Sequence, residues 1–89
     1  MTETRIGVRV TVRYFAAACA AAGAEEEVVT APPGVTVADV VAGLADRNAD
    51  LARVLQRCSF LQDGIAVRDM ASPLVSGQTL DVLPPFAGG

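Results

Sequence analysis

Residues 5–14 alternate without a break. Ile6, Val8, Val10, Val12 and Tyr14 take one side of an extended chain, and Arg5, Gly7, Arg9, Thr11 and Arg13 take the other. A period of two, with β-branched residues at the apolar positions, marks a strand buried on one face. A helix cannot satisfy it, because at 3.6 residues per turn the same side chains scatter around the cylinder. The segment therefore requires a sheet with one wet face and an apolar cover over the other. The arginines on the wet side are solvated, with the option of meeting an acidic partner.

The cover comes from helical segments. Residues 16–22 are rich in alanine and stop at Gly23, a residue favoured just past a helix end. Residues 25–30 form a second strand, entered through Glu25, Glu26 and Glu27, whose charges suit an exposed strand edge. Pro32-Pro33-Gly34 turns the chain. Thr36 and Asp39 stand at capping-box spacing ahead of the main helix, where Val37, Val40, Val41 and Leu44 make an apolar stripe opposite Asp39, Asp46 and Arg47. Gly43 within that helix is expected to let it approach the sheet closely. Leu51, Val54 and Leu55 suit a further short helical turn.

Residues 59–62 and 65–68 flank Asp63-Gly64, a dipeptide favoured in tight hairpins. Pro73 and Leu74 suggest a short turn, and residues 79–83 a last strand with Leu80 and Val82 on one side, Asp81 and Leu83 on the other. Pro84-Pro85 ends it, since proline cannot donate to a ladder. The pattern predicts an α+β domain over residues 1–83, with helices on one face of a sheet of four to five strands. The first and last strands are expected side by side at its centre. Residues 84–89 form a C-terminal tail.

Composition excludes several classes of function. The hydrophobic content is 52% and the mean hydropathy +0.41, but much of this is Ala and Val. No apolar run approaches the ~20 residues that span a bilayer. Glu3, Arg5, Arg9 and Arg13 interrupt any signal-peptide core, so the chain reads as cytoplasmic. A net charge of −3 argues against nucleic-acid or anionic-membrane partners. Every basic residue is arginine, so the chain is not its own isopeptide acceptor and offers no Schiff-base lysine. There is no histidine, which removes Ser–His and Cys–His pairs and disfavours a metal site. Cys19 and Cys58 read as small buried hydrophobes. No cofactor is expected on this chain.

The end of the sequence runs Leu83-Pro84-Pro85-Phe86-Ala87-Gly88-Gly89. Two terminal glycines give a thin, sterically bare carboxylate, fit to enter another enzyme's active site. Six residues beyond Leu83 reach about 20 Å. Pro84 and Pro85 stiffen the first part and lower the ordering cost of insertion, while Ala87, Gly88 and Gly89 keep the last part narrow. Leu83 and Phe86 are apolar residues that the strand pattern does not bury. They suit either a cover for the sheet edge or an anchor on a partner surface, and for Phe86 the partner role is favoured.

Taken together, Val12-Arg13-Tyr14-Phe15-Ala16, Gly34-Val35-Thr36-Val37-Ala38-Asp39-Val40-Val41, Leu74-Val75-Ser76-Gly77-Gln78-Thr79-Leu80 and the seven-residue tail resemble the ubiquitin-like β-grasp sulfur carriers. The similarity is greatest to the molybdopterin synthase small-subunit (MoaD) family, because Pro-Pro precedes the Gly-Gly end. The resemblance implies a β-grasp fold: a mixed sheet packed on one main helix, with a flexible tail. It also implies a carrier cycle in which Gly89 is the reacting group. An E1-like activating enzyme adenylates its carboxylate with ATP, and a persulfide donor converts it to a thiocarboxylate. The molybdopterin synthase large subunit then accepts the tail, and sulfur passes to cyclic pyranopterin monophosphate. A heterotetramer of two small and two large subunits is the implied assembly. Two readings stay open beside this one: a carrier serving cysteine, thiamine or tRNA thiolation, and a ubiquitin-like modifier of lysines on other proteins.

Overall fold

In the computed structural model, which describes residues 7–85, the alternating segment forms β1 (Val8–Tyr14). Val10 and Val12 are wholly buried and Tyr14 nearly so, while Arg9 and Arg13 are exposed. Arg5 and Ile6 lie outside the described residues. The chain continues through α1 (Ala17–Ala22), β2 (Glu26–Ala31), α2 (Val37–Arg47), α3 (Ala49–Leu55), β3 (Ser59–Gln62), β4 (Ile65–Ala66) and β5 (Thr79–Leu83).

The strands make one sheet in the order β2-β1-β5-β3-β4. β1 and β5 run parallel, with Val12 beside Leu80 and Tyr14 beside Val82; every other pair is antiparallel. The first and last strands are thus neighbours, as their patterns predict, and β5 is the middle strand. The structure is a β-grasp fold: a mixed five-stranded sheet covered on one face by helices. The apolar sides of β1 and β5 meet Val37, Val40 and Leu44 of α2, Leu51 and Leu55 of α3, and Leu74 from the connection into β5. Each large apolar side chain so buried contributes about 1.5–3 kcal/mol relative to exposure.

Local chemistry fixes the element ends. The Asp39 N–H donates to Thr36 Oγ1 at 3.1 Å, and the Thr36 N–H donates to Asp39 Oδ2 at 3.0 Å, which completes the capping box at α2. Asn48 then serves two helices. Its Oδ1 accepts from the Leu51 N–H at the start of α3, and its Nδ2 donates to the Ala21 carbonyl at the end of α1. Asp63 and Gly64 take φ values of 48° and 83°, the left-handed pair that a two-residue hairpin turn requires.

The structure corrects several expectations. Gly43 does not bring α2 onto the sheet, because a Cβ built there would have nothing within 4 Å. It lies on the side of the helix that faces a groove. Arg13 is not simply solvated: its Nε donates at 2.8 Å to Oδ1 of Asp81, which lies beneath it at 8% exposure. The cysteines are half-buried rather than buried, and burial pushes the Cys58 thiol pKa up. α1 begins one residue late because Ala16 sits at φ 52°, a turn rather than a helical conformation. β2 is displaced by one residue towards the C-terminus, and β4 stops at Ala66 rather than Arg68.

Candidate functional site: the root of the C-terminal tail

The centre of the sheet delivers the tail. β5 is held by β1 on one side and β3 on the other, with Phe60 opposite Val82 and Ser59 opposite Leu83. The Phe15 N–H donates to the Val82 carbonyl at 3.2 Å, carrying the tie to β1 beyond the end of that strand. The Arg13–Asp81 pair spans the same two strands, and the Arg13 guanidinium lies 5.5 Å from the centre of the Phe15 ring. The chain therefore leaves the sheet from a strand paired on both sides.

Of the residues the sequence marks for function, Leu83 ends β5 half-buried, Pro84 is half-exposed and Pro85 is exposed. Phe86, Ala87, Gly88 and Gly89 lie outside the described residues. Pro84 and Pro85 line a groove of about 440 Å³ with Ala17 of α1, Val54 and Arg53 of α3, and Arg57 just past it. The floor is apolar and the rim cationic. Arg53 pairs with Asp50, whereas no carboxylate among the described residues pairs with Arg57. Sequence reasoning missed this pair of arginines. Their i, i+4 spacing is visible in the chain, but only the fold brings them to the tail.

The root of the tail supplies positive charge and apolar surface but no acid–base machinery, since arginine stays protonated in proteins. Among the described residues no group of three or more His, Cys, Asp or Glu side chains is arranged to hold a metal. A further ionisable cluster lies at the β2 edge of the sheet. There Tyr14 Oη donates to Glu27 Oε2 at 2.6 Å, and Arg47 Nη2 donates to the same oxygen at 2.7 Å. Arg47 holds the Glu27 carboxyl below its ordinary range. Burial, with the Glu27 hydrogen bond second, pushes the Tyr14 phenol well above its usual value. The cluster joins β1, β2 and α2 and lies apart from the tail root. No described helix is long and apolar enough to cross a membrane.

The ThiS family model matches residues 12–89, most of the chain including the tail. Among solved structures, a Pyrococcus furiosus protein assigned as molybdopterin converting factor, subunit 1, is 26% identical. The match covers 88% of this chain and 98% of that one, with a TM-score of 0.80. SAMP1 of Haloferax volcanii, a small archaeal modifier protein, is 24% identical over 91% of this chain and 99% of that one, with a TM-score of 0.80. A complex of subunits 1 and 2 of molybdopterin-converting factor from Helicobacter pylori contains a chain 21% identical to this one. That match covers 92% of this chain and 100% of that one, with a TM-score of 0.69. At these last two identities the likeness speaks for the fold alone. No curated protein sequence gives a significant match.

Proposed function

The chain belongs to the ThiS family, and from that premise we propose that it is the sulfur carrier subunit of a molybdopterin synthase, with the Gly89 carboxylate as its reacting group. At the coarser level it is a ThiS/MoaD-type sulfur carrier or ubiquitin-like modifier with a β-grasp body. The observation that carries the finer reading is the tail itself. A Pro-Pro-Phe-Ala-Gly-Gly sequence follows directly from the central strand of a rigid sheet, and the family match runs through it.

In this reading the chain contributes position and access, and its partners contribute chemistry. A carboxylate is a poor electrophile, so an activating enzyme adenylates Gly89 with ATP, releasing pyrophosphate. The terminal sulfur of a persulfide donor then displaces AMP to form an acyl disulfide. A thiol attacks the donor's sulfur in that S–S bond, leaving a disulfide on the donor side and the thiocarboxylate on Gly89. Its sulfur is a soft nucleophile, ionised at neutral pH, and needs no base from this chain. Pro84 and Pro85 limit the directions in which the tail departs, Leu83 and Phe86 anchor the partner surface, and Ala87 and Gly88 let the end thread. The large synthase subunit is the proposed acceptor, in keeping with the assembly of subunits 1 and 2 in the Helicobacter pylori protein.

The deciding experiment is the intact mass of the chain after incubation with ATP, an activating enzyme and a persulfide donor. The expected result is one oxygen replaced by sulfur, mapped to Gly89 and absent without ATP. Synthase reconstitution with a large subunit then identifies the pathway. Gly89 joined covalently to lysines of other proteins, with no gain of sulfur, would favour the modifier reading instead.

A further inference from the structure

β3 begins at Ser59, opposite Leu83, so the turn between α3 and β3 lies against the root of the tail. In that turn the Arg57 N–H donates to the Val54 carbonyl at 3.0 Å, and the Cys58 N–H donates to the Leu55 carbonyl at 3.2 Å. The backbone that carries Arg57 is thus fixed beside the departing chain. Arg57 is exposed and lines the groove of about 440 Å³ together with Pro84 and Pro85. Arg53 adds no net charge there, because it pairs with Asp50. Among the described residues no carboxylate offsets Arg57, which stands beside an apolar floor of Ala17, Val54, Pro84 and Pro85.

The length of the tail decides what covers this groove. Gly89 stands four residues beyond Pro85, and four extended residues reach about 14 Å at most. An enzyme that adenylates Gly89 has to enclose the reacting carboxyl away from water. With so short a reach, the mouth of its active site comes against Pro84 and Pro85 and covers the groove they line. Covering a guanidinium without a counter-charge is strongly unfavourable. Covering the floor with polar groups forfeits the gain from its burial. The surface that fits is therefore apolar with a carboxylate beside it.

We propose that this groove is a docking site for the rim of the activating enzyme's active site, which presents a carboxylate to Arg57 and an apolar side chain to Ala17 and Val54. The proposal rests on the carrier reading above, in which Gly89 is adenylated, and it holds for a sulfur carrier of any pathway. The planar guanidinium takes a carboxylate through two parallel N–H bonds, which fixes the direction of approach as well as the charge. The contact lies away from the reacting carboxyl and is the same before and during adenylation. It therefore acts on KM for the chain and leaves kcat alone.

ATP–pyrophosphate exchange by the activating enzyme, followed against the concentration of the whole chain, tests the site. The native chain should support exchange, and a chain lacking Gly89 should not. Arg57→Glu should raise KM for the chain at least about ten-fold with kcat within about two-fold of native. Arg57→Lys, which keeps the charge but loses the planar fork, should fall between. Ala17→Glu, at an exposed position, puts a carboxylate into the groove itself and should raise KM as Arg57→Glu does. Arg9→Glu makes the same change in net charge at the end of β1 far from the tail root, and should leave KM unchanged. Every variant should keep the native circular dichroism spectrum. A native KM for Arg57→Glu or Ala17→Glu, a loss confined to kcat, or an equal rise in KM for Arg9→Glu would overturn the docking site and leave Gly89 as the reacting group. No exchange by the native chain would overturn both.

Discussion

Glu27 holds two donors on one carboxylate oxygen, and each donor belongs to a different element. Tyr14 reaches it from β1 and Arg47 from α2, so one side chain ties the edge of the sheet to the helix above it. Removing it leaves the phenol of Tyr14, only 3% exposed, with no acceptor. An orphaned buried hydroxyl costs about 1–3 kcal/mol. Glu27→Ala should therefore lower stability by about that amount in urea denaturation, and Glu27→Gln, which keeps an acceptor, by less. The pH dependence has a definite sign. The folded Glu27 pKa lies below its ordinary value of 4.5, so its contribution is present above that pH and is lost as pH falls through the folded value. The Tyr14 pKa is raised above 10.0, so its contribution is present below that pH and is lost on the alkaline side. Between neutral pH and pH 3, the urea midpoint of the native chain should fall further than that of Glu27→Gln.

At the scale of elements, α2 shows how much of the body depends on local chemistry. Both bonds of its capping box are made, and loss of such a cap typically costs about 1 kcal/mol. Thr36→Ala should lower the unfolding free energy by that amount without changing the fold. Leu44→Ala, at a site 2% exposed beneath the same helix, should cost about 2–5 kcal/mol, because it adds a cavity to the lost burial. Equilibrium denaturation with circular dichroism distinguishes the two, and equal losses would contradict this picture of the core. The capping box, the helix stripe and the Asp63-Gly64 turn were all legible in the sequence, since each rests on residues within a few positions of one another. The start of α1 was not. Ala16 adopts a positive φ that nothing in an alanine run announces, at the corner where the chain leaves β1 beside β5.

At the scale of the molecule, the proposed carrier separates a body that folds from a tail that reacts. Gly89→Ala, or deletion of Gly89, should leave the urea midpoint unchanged and abolish ATP-dependent sulfur loading by intact mass. Normal loading of either variant would remove Gly89 from the mechanism. The division is already visible along the chain, in an alternating first strand, an apolar helix stripe, a last strand closed by Pro84-Pro85 and a glycine end. What the sequence alone determined is therefore the set of elements, their buried sides and the candidate reacting terminus, because periodicity, capping and steric bareness are properties of neighbouring residues. Only the tertiary structure decided who meets whom across the chain. It set Asp81 beneath Arg13 from 68 positions away and brought Arg53 and Arg57 to the prolines of the tail. It also joined Glu27 to Arg47. Those meetings follow from strand order and helix placement. Burial of the whole apolar surface at once selects that arrangement, and no local stretch of residues encodes it.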